Sequence, residues 1–219
     1  MLRNLIEKWP RQRTARTITL ALLALTVALG GCAGSAPQPV ADSEEQVGPV
    51  FPPDAVDRYS QALGYMDAGD DARAADSFRA LAADYPDYAG PLVNLAILES
   101  RMGNTEAGVN LLSNAVVICD TCAPAWNQLG ILYRRQGRFT DAESAYLKAL
   151  AEDPDYALAH YNLGVLYDLY QQQPATAVEH YERYVALSDG GDLAPVDKWI
   201  VDLRRRIGAP PQTAQAEGT

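Results

Sequence analysis

Histidine, cysteine and the common catalytic motifs are all scarce in this 219-residue chain. It has two histidines and three cysteines, and it lacks the G-x-S-x-G, H-E-x-x-H and glycine-rich phosphate-binding patterns. Acidic residues are numerous, but they are spread over predicted solvent-facing helix positions. No two of them stand out as a general acid and a general base. The sequence therefore predicts a protein that is not an enzyme and that holds no metal or other cofactor.

Basic residues are also in the minority. The chain has 18 lysines and arginines against 28 aspartates and glutamates, for a formal net charge of −10. Residues 1–31 carry five basic side chains and one acidic one, a net +4, so the remainder carries −14. A surface this acidic repels a phosphate backbone and releases no counterions from it. We therefore expect no nucleic-acid partner.

Long apolar runs are absent except for residues 17–29, which follow the basic residues 1–16. About a dozen apolar residues are too few for a helix that spans a bilayer, which needs ~20. A short apolar run behind a basic segment is typical of a signal peptide. The run ends in Leu29-Gly30-Gly31-Cys32, which resembles the lipobox of bacterial lipoproteins.

The lipobox resemblance implies that residues 1–31 are a signal peptide and that Cys32 becomes the lipidated first residue, carrying palmitate-like chains. Ala33, rather than aspartate, follows the cysteine and implies sorting to the outer membrane. An ordinary signal peptide with a chance cysteine is the alternative. Residues 32–54 are rich in proline, glycine, serine and acids, so they predict a flexible tether. The expected location is the periplasmic face of a bacterial outer membrane, with a lipid anchor as the membrane contact.

A regularly spaced pattern organises the rest of the chain. Within residues 123–156, one predicted helix face carries Trp126, Leu129, Gly130 and Tyr133, and a second helix carries Ala142, Tyr146 and Ala149. Equal steps along the chain from Gly130 lead to small residues each time: Ala96, Ala62 and Gly164. One such hairpin cannot bury its own apolar face, so the pattern requires neighbouring copies.

These residues resemble the tetratricopeptide repeat (TPR) pattern W-x2-L-G-x2-Y…A-x3-F…A…P, with tyrosine in the phenylalanine position. The resemblance implies an all-α superhelix of about four helix-turn-helix repeats over residues 55–188, followed by a capping helix in 189–207. The fourth turn, which ends at Pro174, is predicted to be one residue longer than the others. Residues 208–219 predict a disordered tail. The aromatic residues expected in the core are Trp126, Tyr133, Tyr146 and Tyr167.

The TPR resemblance also implies that the first helix of each repeat lines a concave groove for a partner peptide or protein. One column of matching positions, Ser60, Asn94, Gln128 and Asn162, is rich in amides suited to pairing with a peptide backbone; the alternative is that they face water. Arg101, Arg134 and Arg135 suit a carboxylate of the partner, or else form a solvated helix face. The predicted groove residues are Tyr59, Asn94, Ile97, Arg101, Asn127, Gln128, Ile131, Arg135, Tyr161 and Asn162.

Cys119 and Cys122 form a C-x2-C pair with no second pair in the chain to complete a zinc site. If Cys32 is lipidated, these two face an oxidising compartment, which favours a disulfide. Two free thiols, or a thiol-redox activity, are the alternatives.

The combined features predict a membrane-anchored TPR adaptor. In architecture it resembles the TPR lipoproteins of pilus assembly, which help secretin subunits assemble. A periplasmic thiol-redox protein that uses Cys119 and Cys122 is a second hypothesis. A self-associating structural lipoprotein is a third.

Overall fold

The computed structural model of the chain describes residues 52–188 and 192–208. The predicted signal peptide, Cys32 and most of the tether lie outside the described residues, as does the tail from residue 209 onward. The two described ranges contain nine helices and no strand. The helices are α1 (Pro53–Asp67), α2 (Asp71–Asp84), α3 (Ala89–Arg101), α4 (Thr105–Ile118), α5 (Ala123–Arg135), α6 (Phe139–Glu152), α7 (Ala157–Leu169), α8 (Pro174–Leu187) and α9 (Ala194–Arg206).

The helices α1 to α8 form four consecutive hairpins, each packed against the next along the chain. Three-residue turns close the first three hairpins, and each contains a glycine with positive φ: 75° at Gly69, 91° at Gly103 and 75° at Gly137. Only glycine adopts this left-handed conformation without steric cost, which explains why it recurs at the same point of each repeat. The fourth turn has four residues, as its spacing indicates, and places Gln172 at φ 55°.

Each hairpin closes on a small residue that faces a large one. A Cβ built on Gly130 would lie 2.5 Å from the Tyr146 ring, and a Cβ on Gly164 would lie 2.5 Å from the Tyr181 ring. Both rings are fully buried. Gly130 and Gly164 are therefore equivalent points of successive hairpins. This confirms the all-α repeat architecture that the sequence predicts.

The second repeat departs from the sequence pattern because Gly108 stands where the pattern has alanine. A Cβ there would lie 2.8 Å from Leu132 Cδ1 and 3.0 Å from the Ala96 carbonyl oxygen. The neighbouring repeat already occupies that space. The departure is thus a packing requirement at the junction of the second and third repeats.

The predicted aromatic core is buried in part. Tyr146 and Tyr167 are buried, whereas Trp126 and Tyr133 are only partly buried against the cores of the second and third repeats. The indole N–H of Trp126 donates to the Asp120 carbonyl oxygen at 2.7 Å. That bond holds one edge of the ring at the surface of the turn before α5.

The ends of the repeat array differ slightly from the predicted boundaries. The helix α1 begins at Pro53, two residues inside the predicted tether, because proline at a first helical position forgoes no hydrogen bond. The capping helix, predicted within residues 189–207 over Leu193–Ile207, is α9 and begins at Ala194. It covers α8 with Val196, Ile200 and Leu203, and its Arg204 pairs with Glu182 on α8 at 2.5 Å.

Candidate peptide-binding groove

The first helices of successive repeats lie side by side, α3 against α5 and α5 against α7. All ten predicted groove residues are on these four first helices, α1, α3, α5 and α7. Their side chains fall into three groups: amides and tyrosines that are buried or partly buried, partly buried isoleucines, and arginines near the ends of the helices.

Tyr59 and Asn94 tie the first two repeats together. The Asn94 side-chain amide donates to the Tyr59 hydroxyl at 2.5 Å and to the Gly90 carbonyl oxygen, one turn earlier on its own helix, at 3.3 Å. The Tyr59 ring also packs edge-on against Phe78. Burial raises the pKa of Tyr59 well above its usual range, so the phenol stays protonated. This contact fixes α1 against α3.

Asn127 and Asn162 make the corresponding contact between the third and fourth repeats. The Asn162 amide donates to Asn127 Oδ1 at 3.0 Å and to the Leu158 carbonyl oxygen at 2.9 Å. As with Asn94, one bond returns to the asparagine's own helix and the other crosses to the preceding repeat. We call each of these two contacts an amide latch.

Burial separates the predicted amide column, together with the neighbouring groove residue Asn127, into two classes. Asn94 and Asn127 are each 1% exposed, and Asn162 is also buried, whereas Gln128 is partly exposed and Ser60 is exposed. Asn94 Oδ1 and Asn127 Nδ2 have no hydrogen-bond partner among the described residues. Each such buried polar atom costs about 1–3 kcal/mol. The array thus leaves one acceptor and one donor unpaired, on the neighbouring helices α3 and α5.

The apolar positions form a row along the same four helices. Ile97 and Ile131 are partly buried, and they lie between the buried Leu63 and Val165 of the outer repeats. The row offers apolar surface beside the amides. Such a mixture is common in sites that bind extended polypeptides.

Arginines occupy the C-terminal ends of α3 and α5. Arg101 pairs with Asp71 at 3.4 Å. Arg135 is exposed and donates from Nη1 to the hydroxyl of the buried Ser100 at 2.5 Å, and Arg134 donates to the Tyr146 hydroxyl at 3.3 Å. Within residues 52–188 and 192–208, neither Arg134 nor Arg135 has a carboxylate at ion-pair distance.

An aromatic cluster that the sequence does not predict ends the row of first helices. The Tyr161 ring lies 5.1 Å from the Tyr184 ring and 6.3 Å from the Trp199 ring, measured between centroids. Trp199 belongs to α9 and is 38% exposed. The only signal for it in the sequence is Trp199 on the apolar face of the last helix, because its contact with Tyr161 depends on how α9 docks.

The connection between α4 and α5 carries the cysteine pair. Cys119 and Cys122 form a disulfide in the structure, with their Cα atoms 5.4 Å apart, and they are 2% and 0% exposed. Asp120 and Thr121 form the turn between them. The bond lies at the junction of the second and third repeats, whereas the two amide latches lie at the other two junctions.

Over 52–188 and 192–208, no group of three or more histidine, cysteine, aspartate or glutamate side chains is arranged to hold a metal ion. None of the helices in those ranges combines the length and apolar character that crossing a membrane requires.

Comparison of the sequence with models of known families identifies the type of repeat. Two family models, each described as a tetratricopeptide repeat, match residues 58–88 and residues 127–192. This chain is a tetratricopeptide-repeat protein. No curated protein sequence matches it at a significant level. Repeats of this family form scaffolds for protein–protein interaction and bind peptide or protein partners.

Solved structures with the same fold are distant in sequence. PilF of Pseudomonas aeruginosa is 21% identical, with 70% of this chain and 69% of that chain covered and a TM-score of 0.63. MamA is 23% identical, with 67% and 84% covered and a TM-score of 0.57. The first TPR domain of Spaghetti, bound to the HSP90 peptide SRMEEVD, is 16% identical, with 55% and 94% covered and a TM-score of 0.50. These similarities concern the fold.

Proposed function

We propose that this protein is a lipid-anchored adaptor whose groove holds an extended segment of another polypeptide at the periplasmic face of the outer membrane. The observation that carries the groove half of the proposal is the inner face of α3 and α5. Among the described residues, that face combines the partly buried Ile97 and Ile131, the partly exposed Gln128, and Arg135, which has no carboxylate at ion-pair distance.

The Gln128 side chain favours a peptide backbone as the ligand. It is partly exposed on α5, whereas Asn94 and Asn127 are buried and engaged in the amide latches. An extended backbone presents N–H and C=O groups in alternation, and one carboxamide pairs with both kinds of group. Asn94 Oδ1 and Asn127 Nδ2, although unpaired among the described residues, are out of a ligand's reach while the latches are closed.

The arginines favour an acidic segment. Arg134 and Arg135 are cations without carboxylate partners in the part of the chain that the structure describes, within a protein of net charge −10. The Ser100 hydroxyl on the neighbouring first helix α3 holds the Arg135 guanidinium in place, which lowers the entropy lost when a carboxylate binds, whereas Arg134 contacts Tyr146 on α6. The peptide bound to Spaghetti, SRMEEVD, contains three acidic residues and serves as a model ligand.

The membrane half of the proposal rests on residues 17–32 and on family analogy. The lipobox-like ending at Cys32 supports lipid attachment, and Ala33 supports outer-membrane sorting. The PilF-like fold is compatible with a role in assembling a pilus or secretin complex. Other envelope assemblies use the same architecture. Identifying the partner protein by crosslinking would therefore show which assembly this protein serves.

Site-specific photo-crosslinking in cells tests the groove. The crosslinker replaces Gln128, because this side chain is on α5 beside the buried Asn127 and is itself partly exposed. Lys148, exposed on the second helix of the same repeat, is the matched control position. We expect a discrete crosslinked protein from position 128 and none from position 148. Equal yields from both positions would argue against the groove, and a crosslink only to a second copy would support self-association instead.

A charge-matched pair of variants tests the arginines. Arg135→Gln removes one positive charge in the groove, and Lys148→Gln removes one outside it. We expect Arg135→Gln to lower the crosslinking yield at position 128 severalfold and Lys148→Gln to leave it unchanged. Equal losses would show that net charge alone attracts the partner.

Metabolic labelling with an alkyne palmitate analogue tests the anchor. Cys32→Ser should abolish the label and release the protein from the membrane fraction, while the pair Cys119→Ala and Cys122→Ala should keep both. A wild-type chain recovered unlabelled and freely soluble would remove this half of the proposal.

The thiol-redox hypothesis finds no support in the geometry. A redox cysteine must present a sulfur atom to a second thiol, and such cysteines are partly exposed in electropositive surroundings. Cys119 and Cys122 are buried, so a structural disulfide describes them better.

A further inference from the structure

The only two histidines of the chain meet at the last hairpin. His160 lies on α7 and His180 on α8, with 3.0 Å between their Nδ1 atoms and 5.2 Å between their ring centroids. Both rings are partly buried. Neither has a role in the groove proposed above, and their wide separation along the chain matches no local metal-binding motif.

The contacts of His160 orient its lone pair. Its Nε2 lies 3.1 Å from the Pro154 carbonyl oxygen, which only accepts a hydrogen bond, so the ring proton is on Nε2. The lone pair of the neutral ring is therefore on Nδ1 and points at His180. Metal-binding histidines usually show this arrangement, with the non-ligating nitrogen donating to a carbonyl or a carboxylate.

The distance between the two Nδ1 atoms suits a bound ion. Metal–nitrogen bonds of ~2.0–2.1 Å with bond angles of about 90–109° place the two nitrogens roughly 2.8–3.4 Å apart. The observed 3.0 Å lies within this range, so the two nitrogens already have the separation of a chelating pair. In the free protein the His180 Nδ1–H donates to His160. When that proton moves to Nε2 of His180, both Nδ1 atoms offer a lone pair to an ion, with no net release of protons.

We propose that His160 and His180 form a two-imidazole site for a divalent transition-metal ion such as Cu²⁺ or Zn²⁺, with water in the remaining positions. Imidazole nitrogens suit these ions, and Cu²⁺ binds most tightly among them. The site goes beyond the proposed adaptor function and does not depend on it.

The surroundings keep the two rings available as ligands. Burial lowers the pKa of both histidines, that of His180 to about 4, so both rings are neutral at pH 7. The Tyr167 ring stacks on His180, and its hydroxyl donates to Glu143 rather than to either histidine. Arg183 is a positive charge close to His160 and would repel a bound cation. Its ion pair with Asp155 at 2.5 Å reduces that repulsion.

A Cu²⁺ titration of the metal-free full-length protein tests the site. Every sample carries Cys32→Ser, because a free thiol at that position would compete for copper. We expect one Cu²⁺ per chain, with an electron paramagnetic resonance spectrum that shows hyperfine coupling to two imidazole nitrogens. Zn²⁺ should compete with copper for the site only in large excess, because it binds imidazole less tightly, and Mg²⁺, which prefers oxygen ligands, should not compete.

Three variants locate the ion. His160→Gln and His180→Gln should each weaken Cu²⁺ binding by about tenfold or more, and Glu179→Gln, an exposed neighbour on α8, should change it less than twofold. Circular dichroism checks that each variant folds. Coupling to fewer than two nitrogens, or unchanged affinity in His180→Gln, overturns the proposal. Selective broadening of the His160 and His180 ring-proton signals by substoichiometric Cu²⁺, in Cys32→Ser protein that keeps both histidines, supports it without any variant at the site, and its absence counts against it.

Discussion

A methyl group added at Gly130 tests the close approach on which each hairpin depends. The new Cβ would lie 2.5 Å from Tyr146 Cε1, 2.6 Å from Cδ1 and 3.0 Å from Cζ. Carbon atoms in contact prefer a separation of about 3.5–4.0 Å, so the new Cβ would be roughly an ångström too close to the ring. The Tyr146 ring is fully buried and its hydroxyl contacts Arg134, so it has little room to move.

The net effect of Gly130→Ala is the difference of two terms. Overpacking of a buried core typically costs about 1–3 kcal/mol, and we take about 3 because the opposing atoms belong to a rigid ring. Alanine is favoured over glycine in a helix by about 1 kcal/mol. We therefore expect the free energy of unfolding to fall by about 2 kcal/mol, measured by urea denaturation followed by circular dichroism.

Gly64→Ala provides the matched control on α1. No atom lies within 4 Å of a Cβ built there, so only the helix-propensity term remains. We expect this variant to gain about 0.5–1 kcal/mol. If Gly130→Ala were as stable as the wild type or more so, the packing argument for the hairpins would be wrong. Destabilisation by both variants would mean that backbone flexibility, rather than space, is what glycine supplies.

Further predictions concern the amide latch, the disulfide and high pH. Asn162→Ala should cost about 1–3 kcal/mol in unfolding free energy, because it leaves Asn127 Oδ1 buried and unpaired; Gln128→Ala, as the control, should stay within about 0.5 kcal/mol. Replacing Cys119 and Cys122 together by alanine should cost about 2 kcal/mol, the value for closing so short a loop, and should make stability insensitive to reductant, unlike that of the wild type. Burial raises the pKa of Tyr156 to about 12, so its neutral form is favoured in the folded state. This tyrosine should contribute a loss of stability that begins near pH 10, its unfolded pKa, and grows until about pH 12, and Tyr156→Phe should reduce the slope of melting temperature against pH in that window.

The repeat architecture was predictable because its signals are local and recur. A glycine that ends a first helix, a small residue opposite a large one and a proline at a helix start each act within a few residues. The constant spacing of these signals then places each hairpin against the next. The signals weaken at the ends of the array, which is why the start of α1 at Pro53 and that of α9 at Ala194 lay within a few residues of the prediction but not on it.

The candidate groove was predictable only as a set of positions. The sequence identifies an amide column at Asn94, Gln128 and Asn162, yet in the third repeat the buried latch position belongs to Asn127. Asn127 is equivalent to Tyr59 of the first repeat, and each accepts from an asparagine 35 residues later, so Gln128 is left partly exposed. No pattern inside one repeat contains a contact that joins two repeats.

The sequence by itself determined the helices, their turns, the small-to-large packing within each hairpin and the stacking of hairpins, because these follow from backbone preferences and hydrophobic periodicity inside one repeat. Tertiary structure alone decided the amide latches, the contact of Trp199 with Tyr161 and the meeting of His160 with His180. These contacts join residues that are far apart in the chain and lie on different helices. They depend on the relative offset and rotation of the packed helices. Those in turn are set by how whole layers of side chains fit together on the ångström scale.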